Sequence, residues 1–133
     1  SNFSALRSGP VNANTAQGVS AVYACVGAIS ETVSSLPLIL FKRNGDDRER
    51  AADHPLYRVL HDIANPEQTA LEFREYMQAC ILLRGNAYAR IVRGYDGQVR
   101  ELWPLPPDRV SVLRVGEKLA YEYPPAQFIN FAM

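Results

Sequence analysis

The sequence predicts an α+β domain in which amphipathic helices pack on a mostly antiparallel sheet of short strands and hairpins. In the first two-thirds of the chain, apolar residues recur at three- and four-residue steps, which is typical of helices. After Gly85 they alternate every second residue, and turn residues separate the short runs. With 133 residues, of which 47% are hydrophobic, the chain is long enough for one domain with a core and too short for two ordinary domains.

Composition excludes several classes of protein. Fourteen basic residues balance fourteen acidic ones, whereas dedicated nucleic-acid binders carry a basic surplus. Two cysteines are too few for a disulfide-built secreted scaffold. The sequence has no apolar run of the length that crosses a bilayer, which is about 18 residues or more. We therefore expect an intracellular domain that does not span a membrane.

The N-terminal region predicts an arm followed by a long helix. Residues 1–14 are rich in Ser, Asn, Gly and Pro and predict a flexible arm ahead of a domain at 15–133. Thr15 or Ser20 is expected to cap the helix. Its apolar face consists of five residues at helical spacing: Val19, Val22, Val26, Ile29 and Val33.

The remaining positions of this first helix are mostly small. They are Ala21, Ala24, Gly27, Ala28, Ser30 and Ser34. Small side chains allow another backbone to approach closely, so we expect the helix to be covered on more than one side. The covering element belongs either to the same domain, which we favour, or to a neighbouring subunit.

A short hairpin is predicted after this helix. Pro37 ends the helix, because proline lacks an amide proton and disfavours a helical residue before it. The apolar run 38–41 predicts a strand buried on both faces, and Asn44-Gly45 predicts a tight turn. The charged residues 46–50 predict a solvated loop or an edge strand.

Two more helices follow. Pro55 begins a short one whose apolar residues extend to Ile63, and it is expected to end near residues 65–66. Thr69 and Glu72 form a capping box at the start of the next helix. Gly85 is its expected left-handed stop. The apolar face of that helix consists of Phe73, Tyr76, Met77, Cys80 and Leu83.

The last third of the chain predicts two hairpins. The first runs from residue 87 to residue 103 around a turn at 94–97, and prolines at 104, 106 and 107 are expected to interrupt it. The second pairs residues 110–115 with 119–123. Residues 128–131 are predicted to add a last strand.

No catalytic, cofactor-binding or metal-binding residue is predicted. His54 and His61 each neighbour an aspartate, but two histidines cannot build a histidine-rich metal site. We expect helix-terminal roles, with His54 shaping the start of a helix. Cys25 and Cys80 lie on apolar helix faces without CxxC spacing, so both are interpreted as small buried hydrophobes. An enzyme hypothesis depends on His61 or Cys25 alone, because phosphate-binding and nucleophile-elbow motifs are absent.

Four arginines surround the first of these hairpins, with two aromatic residues among them. They suggest either a phosphate-contacting patch or ordinary ion pairs with Asp96 and Glu101, and we favour ion pairs. The residues involved are Arg84, Arg90, Arg93, Arg100, Tyr88 and Trp103. The 94–97 segment resembles a calcium loop only superficially and is interpreted as a hairpin turn.

Several segments together resemble one known family, the portal proteins of tailed bacteriophages, in the branch of long-tailed phages. The resemblance covers residues 15–131 and concerns the N-terminal part of those proteins. It rests on the order and spacing of segments 21–26, 35–38, 54–57, 65–66, 85–88, 103–105 and 106–110, together with Phe73. Residues 128–131 lack the histidine-containing pattern of many relatives.

The resemblance implies a structural, non-enzymatic protein that needs no cofactor. It implies the wing region of a subunit that forms a ring, usually a dodecamer, at one capsid vertex. DNA passes through the ring during packaging and ejection, without sequence-specific binding. The implied partners are other copies, the major capsid protein, terminase and the neck proteins. The implied location is the virion, with the host cytoplasm during assembly.

The family's channel-lining helices have no counterpart here, so residues 15–133 are expected to be part of a longer protein. The competing hypothesis is a small intracellular module that binds another protein and has no enzymatic activity.

Overall fold

The computed structural model describes the backbone of residues 13–124 and the side chains of residues 17–124. Within this part, three helices and four antiparallel strand pairs confirm the α+β class. The helices are α1 (Ala13–Ser35), α2 (Pro55–His61) and α3 (Ala70–Arg84). The strands are β1 (Phe41–Asn44), β2 (Asp47–Arg50), β3 (Ile63–Asn65), β4 (Gln68–Thr69), β5 (Tyr88–Arg93), β6 (Val99–Leu105), β7 (Ser111–Val115) and β8 (Lys118–Glu122).

The strands do not join into one sheet. Among residues 13–124 each pairs only with its sequence neighbour, giving four separate two-stranded ribbons: β1–β2, β3–β4, β5–β6 and β7–β8. An isolated two-stranded ribbon has little stability in water and needs a surface to pack against. The packing around α2, α3 and β6 therefore decides which ribbons are supported.

Helix α1 begins at Ala13, ahead of both expected caps, Thr15 and Ser20. Its end agrees with the expected stop, because the helix finishes at Ser35 before Pro37. The turn at Asn44-Gly45 is confirmed, with Gly45 at a φ of 64°. The expected buried strand at 38–41 is wrong. The strand begins only at Phe41, Leu38 and Phe41 are exposed, and Ile39 and Leu40 are half-buried. All eight residues of β1 and β2 are exposed.

Helix α2 is shorter than predicted and ends at His61, so Ile63 lies outside it. Residues 63–65 instead form β3, which pairs with β4 across a tight turn. The amide of Ala70 donates to the carbonyl of Asp62 at 2.9 Å and closes this turn at the start of α3. A local helical pattern cannot reveal that pairing, because the bonds come from residues several positions further along the chain.

The predicted signals of α3 are confirmed at both ends. The Thr69 hydroxyl accepts from the Glu72 amide at 3.2 Å, and the Glu72 carboxylate accepts from the Thr69 amide at 2.8 Å. Gly85 ends the helix with a φ of 79°, in the left-handed region that glycine favours.

Both C-terminal hairpins are confirmed, with turn glycines at positive φ in each. Pro104 does not interrupt the first hairpin but pairs with Ala89 inside it. A proline is tolerated there because both strands of a two-stranded ribbon are edge strands, so its missing amide need not break a ladder. The predicted strand at 128–131 lies outside the described residues.

The core lies where α2, α3, β3 and β6 meet. In the described residues its buried hydrophobic members are Val59, Ala64, Ala70, Phe73 and Cys80. Of the predicted apolar face of α3, Phe73 and Cys80 are buried while Tyr76 remains 37% exposed. This core is small, and hydrogen bonds from the side chains of Asn65 and Arg74 connect the surrounding elements to it.

Candidate assembly surfaces

Asn65 connects the β3–β4 turn to β6 inside the core. The side chain is 2% exposed. Its amide nitrogen donates to the Leu102 carbonyl at 2.9 Å and to the Gln68 side chain at 3.1 Å, and its oxygen accepts from the Glu67 amide at 2.9 Å. Buried polar groups are tolerated only when bonded in this way, so this residue fixes the position of β6 against α2 and β3.

Arg74 connects α3 to the C-terminal ends of the two other helices. Its guanidinium donates to the Leu60 carbonyl of α2 at 2.7 Å and to the Ser34 carbonyl of α1 at 2.8 Å. The last carbonyls of a helix lack intrahelical partners and carry partial negative charge, which a cation stabilises. Arg74 thus holds the end of α1 against the core without a carboxylate partner in the described part of the chain.

Helix α1 buries two of its small residues and exposes most of its large ones. Ser30 and Ser34 are each 1% exposed where α1 meets α3. The valine face predicted from the sequence lies open instead: Val19, Val22, Ile29 and Val33 are between 44% and 57% exposed. The expected packing of α1 against its own domain is therefore confirmed, but on one side of the helix and not on more than one within residues 17–124. The apolar stripe has no cover within residues 17–124.

The β7–β8 ribbon forms a second apolar surface. Both of its faces carry exposed large residues, namely Val112, Leu113, Val115, Leu119 and Tyr121. Near the base of the ribbon, Tyr121 lies 5.9 Å from Tyr88 between ring centroids, and Arg109 lies over Tyr123. Large apolar residues on both faces distinguish this ribbon from a half-solvated hairpin, which keeps one face polar.

The two histidines have structural roles, as expected. The Nδ1 atom of His54 accepts from the Leu56 amide at 3.1 Å and caps α2. His61 stacks on Tyr57 with ring centroids 5.0 Å apart, and its Nδ1 lies 2.7 Å from the Asp62 carboxylate. Among residues 17–124, no group of three or more metal-ligating side chains includes either imidazole.

The two cysteines differ in environment. Cys80 is buried, as expected, whereas Cys25 is exposed on α1 and the prediction that it is buried is wrong. Its helix is covered by α3 on the face that carries Ser30 and Ser34. Across residues 17–124, no group of three or more His, Cys, Asp and Glu side chains is placed to hold a metal ion.

Two of the four arginines around the first C-terminal hairpin form ion pairs. Arg100 pairs with Asp96 at 2.7 Å and Arg84 pairs with Asp108 at 3.0 Å. Arg93 donates to the Gly97 carbonyl at 2.9 Å. Glu101 accepts from the Trp103 indole at 2.6 Å instead of from an arginine. This region therefore does not present a continuous phosphate-binding patch, and the 94–97 segment is a hairpin turn.

Two ionisable groups on α3 have shifted pKa values. Hydrogen bonds from the Thr69 backbone and then from its side chain lower the pKa of Glu72 below its ordinary value of 4.5. Burial is the main cause that raises the pKa of Tyr76 above 10.0, and contact with Cys80 adds to it. Glu72 is therefore a carboxylate and Tyr76 a neutral phenol at physiological pH, and neither is poised for proton transfer.

The arrangement suits contact with other protein surfaces. Among the described residues, twenty large hydrophobic side chains are exposed, against five buried hydrophobic residues. Contiguous exposed apolar surface marks an interaction site in folded proteins. No described helix combines the length and the hydropathy needed to cross a membrane. The sequence alone missed these surfaces, because periodicity identifies an apolar face but not whether another element covers it.

Comparison with known proteins agrees with this picture. The family model described as phage portal protein matches residues 20–129. The chain is 38% identical over 107 residues to the portal protein of Enterobacteria phage HK97, an alignment that covers 79% of this chain and 25% of that protein. It is 35% identical over 97 residues to protein BeeE of Escherichia coli (strain K12), covering 73% of this chain and 61% of BeeE.

The chain thus spans about a quarter of the first relative and about three-fifths of the second. The family match extends over most of the chain and includes all three helices except the first residues of α1. On this evidence the chain belongs to the phage portal protein family, a family of structural proteins.

Proposed function

We propose that the protein containing this chain is a portal subunit that assembles into a ring, a dodecamer, at one vertex of a phage capsid. The ring is the conduit for DNA packaging and ejection and the platform on which head and tail join. DNA slides through it without sequence-specific contacts. Family membership supports this proposal, as does the excess of exposed apolar surface over buried core.

The observation that carries the proposal is the open valine face of α1. Its four exposed members lie on a helix whose other side packs against α3. A ring of identical subunits needs one surface of each copy to fit a different surface of the next. An apolar helix face held firmly by Arg74 is suited to such a contact, because rigid surfaces lose less entropy on binding.

Residues 15–133 are, in this proposal, the wing-like domain of a longer chain. The ring's further partners are the major capsid protein, terminase and the neck proteins, and it resides in the virion after assembly in the host cytoplasm. The protein performs no catalysis. In support, His54 and His61 serve helix geometry, and Cys25 is not placed beside an activating group in the described residues.

Imaging the full-length protein by electron microscopy, with its mass in solution measured in parallel, tests the proposal. We expect rings with a central channel and a mass close to that of a dodecamer. A monomer that persists at high concentration contradicts the proposal and favours a small interaction module that has no enzymatic activity. Replacing Val22 by Asp in the full-length protein is expected to reduce ring formation, because a charge on the contact face must lose its hydration.

A further inference from the structure

The β1–β2 ribbon separates its charges between its two faces. In the observed register Phe41 lies opposite Arg50, and Arg43 lies opposite Arg48. These four side chains share one face, because directly paired residues and residues two apart in a strand point the same way. The other face holds Lys42 with Glu49 and Asn44 with Asp47. One face therefore carries three arginines around a phenylalanine and no acid.

This arginine face, defined as Phe41, Arg43, Arg48 and Arg50, has no partner within the described part of the chain. All four residues are exposed. None of its arginines takes part in an ion pair or a side-chain hydrogen bond in residues 17–124. Like charges directly opposite each other destabilise a strand pair, so the Arg43–Arg48 pair favours any anionic surface that approaches it.

A groove of about 340 Å³ between α1 and α3 has the opposite character. This acidic groove is lined by Gly27, Ser30, Glu72, Glu75, Tyr76 and Ala79. The two carboxylates are its charged members, and no basic side chain lines it. Glu72 accepts both of its Thr69 bonds on Oε2, so Oε1 is left for another donor. A β-carbon at Gly27 would meet nothing within 4 Å, so a larger side chain at this position has room to extend into the groove.

A buried hydroxyl in the groove lacks a partner. Ser30 is 1% exposed, and its Oγ has no hydrogen-bond partner within the described residues. A buried polar atom without a bond costs free energy, so the hydrogen bonding of this part of the molecule is incomplete. A guanidinium donates several bonds in one plane and so fits the Glu72 and Glu75 carboxylates that line the groove.

We propose that the arginine face of one copy inserts into the acidic groove of the next copy. The inference rests on the proposed ring function and names one contact that holds it together. Two different, complementary surfaces on one chain make a heterologous contact, which closes into a ring when the rotation per copy allows it. The chain itself carries both the basic face and an acidic groove of opposite charge, which favours a second copy as the occupant.

A charge exchange in the full-length protein tests the contact. Arg48→Glu alone and Glu75→Arg alone each place like charges against each other, and we expect each to raise the concentration needed for ring assembly at least about tenfold. The double variant Arg48→Glu/Glu75→Arg restores an attractive pair and should recover assembly. Matched controls are Lys42→Glu, on the other face of the ribbon, and Glu67→Arg, on the β3–β4 turn; both should assemble as the wild type does.

A second pair of variants fills the groove without changing charge. Gly27→Met narrows it and should impair assembly, whereas Gly27→Ala adds one methyl group and should impair it less. Both substitutions favour the helix over glycine, so thermal unfolding of each variant separates loss of contact from loss of fold.

The outcomes distinguish this contact from the ring itself. If the wild type forms no ring, the proposed function fails. If the wild type forms rings and all these variants assemble equally well, the ring stands and the contact is wrong. If Arg48→Glu leaves assembly intact but weakens binding to double-stranded DNA, the arginine face binds nucleic acid and the proposal is overturned.

Discussion

Two regions of the molecule use apolar residues in opposite ways. Around α3, a few hydrophobic residues are buried together with Asn65 and Arg74, whose hydrogen bonds join β6, α2 and α1 to one centre. The outer face of α1 and the β7–β8 ribbon instead hold large apolar residues that the described chain leaves open. The first region determines whether the domain folds, and the second determines what it contacts once folded.

Phe73→Ala is expected to have the largest effect on the inner region. Phe73 is 8% exposed, and removing its ring leaves a cavity that costs about 3 kcal/mol of unfolding free energy. Urea unfolding, followed by the fluorescence of the single tryptophan, Trp103, measures the loss. Leu71→Ala on the same helix is the matched control. Leu71 is 45% exposed, so this variant should lose less than about 1 kcal/mol of unfolding free energy. Equal losses would contradict the division into two regions.

Asn65→Ala removes the polar connection between β3 and β6. It leaves the Leu102 carbonyl and the Glu67 amide without their partner, and we expect a cost of about 2 kcal/mol. The same unfolding assay applies. Asn86→Ala, at an exposed position after α3, should change the unfolding free energy by no more than about 0.5 kcal/mol.

Arg74→Met tests how α1 is held. The variant keeps most of the side-chain volume but loses the bonds to Ser34 and Leu60, at a cost of about 1.5 kcal/mol or more. Hydrogen exchange should quicken at the C-terminal end of α1 more than within α3. Uniform loss of protection would mean that α1 and α3 open together. Arg90→Met, at an exposed position of β5, is the control for replacing an arginine by methionine.

Thr69→Ala removes the cap of α3, with an expected cost of about 1 kcal/mol. The pH dependence follows from Glu72, whose pKa is lowered in the folded state by hydrogen bonds from Thr69. Its stabilising contribution is complete above the ordinary pKa of 4.5 and is lost as the pH falls through the lowered value. In Glu72→Gln this part of the pH dependence should vanish. If the unfolding free energy of Glu72→Gln falls at acidic pH as it does in the wild type, the carboxylate does not stabilise the cap.

Val22→Ser should have the smallest effect on the chain alone. Val22 is 53% exposed, so the unfolding free energy of the 133-residue chain should change by no more than about 0.5 kcal/mol. In the full-length protein the same change should weaken ring assembly. A large loss of stability in the chain itself would show that the valine face is covered from within and would remove the distinction between the two regions.

Local signals in the sequence predicted the elements well where the stabilising bonds are also local. The capping box of Thr69 and Glu72, the left-handed Gly85, and the turns at Gly45 and Gly97 each depend on bonds or backbone preferences within a few residues. The cap at His54 belongs to the same class. The family resemblance was likewise carried by short ordered segments, and the family match confirms it.

The errors occurred where contacts outside the helical or strand repeat decide the outcome. Ile63 lies outside α2 because it pairs with Thr69 in the β3–β4 ribbon. The 38–41 run is not buried, since Leu38 and Phe41 are exposed and Ile39 and Leu40 are half-buried. Cys25 and the valine face of α1 were expected to be buried, yet α3 packs on the face that carries Ser30 and Ser34. A helical repeat shows which residues share a face, but the face that is buried depends on where other elements lie.

By itself, the sequence determined the α+β class, the caps of α2 and α3, the hairpin turns, and membership of the phage portal family, because these depend on residue order and short-range bonding. Only the tertiary structure decided which face of α1 is buried and that the ribbons remain separate. It also decided that an acidic groove and an arginine face lie on different elements. Burial and charge complementarity arise between segments far apart in the chain, and local preferences do not encode those distances.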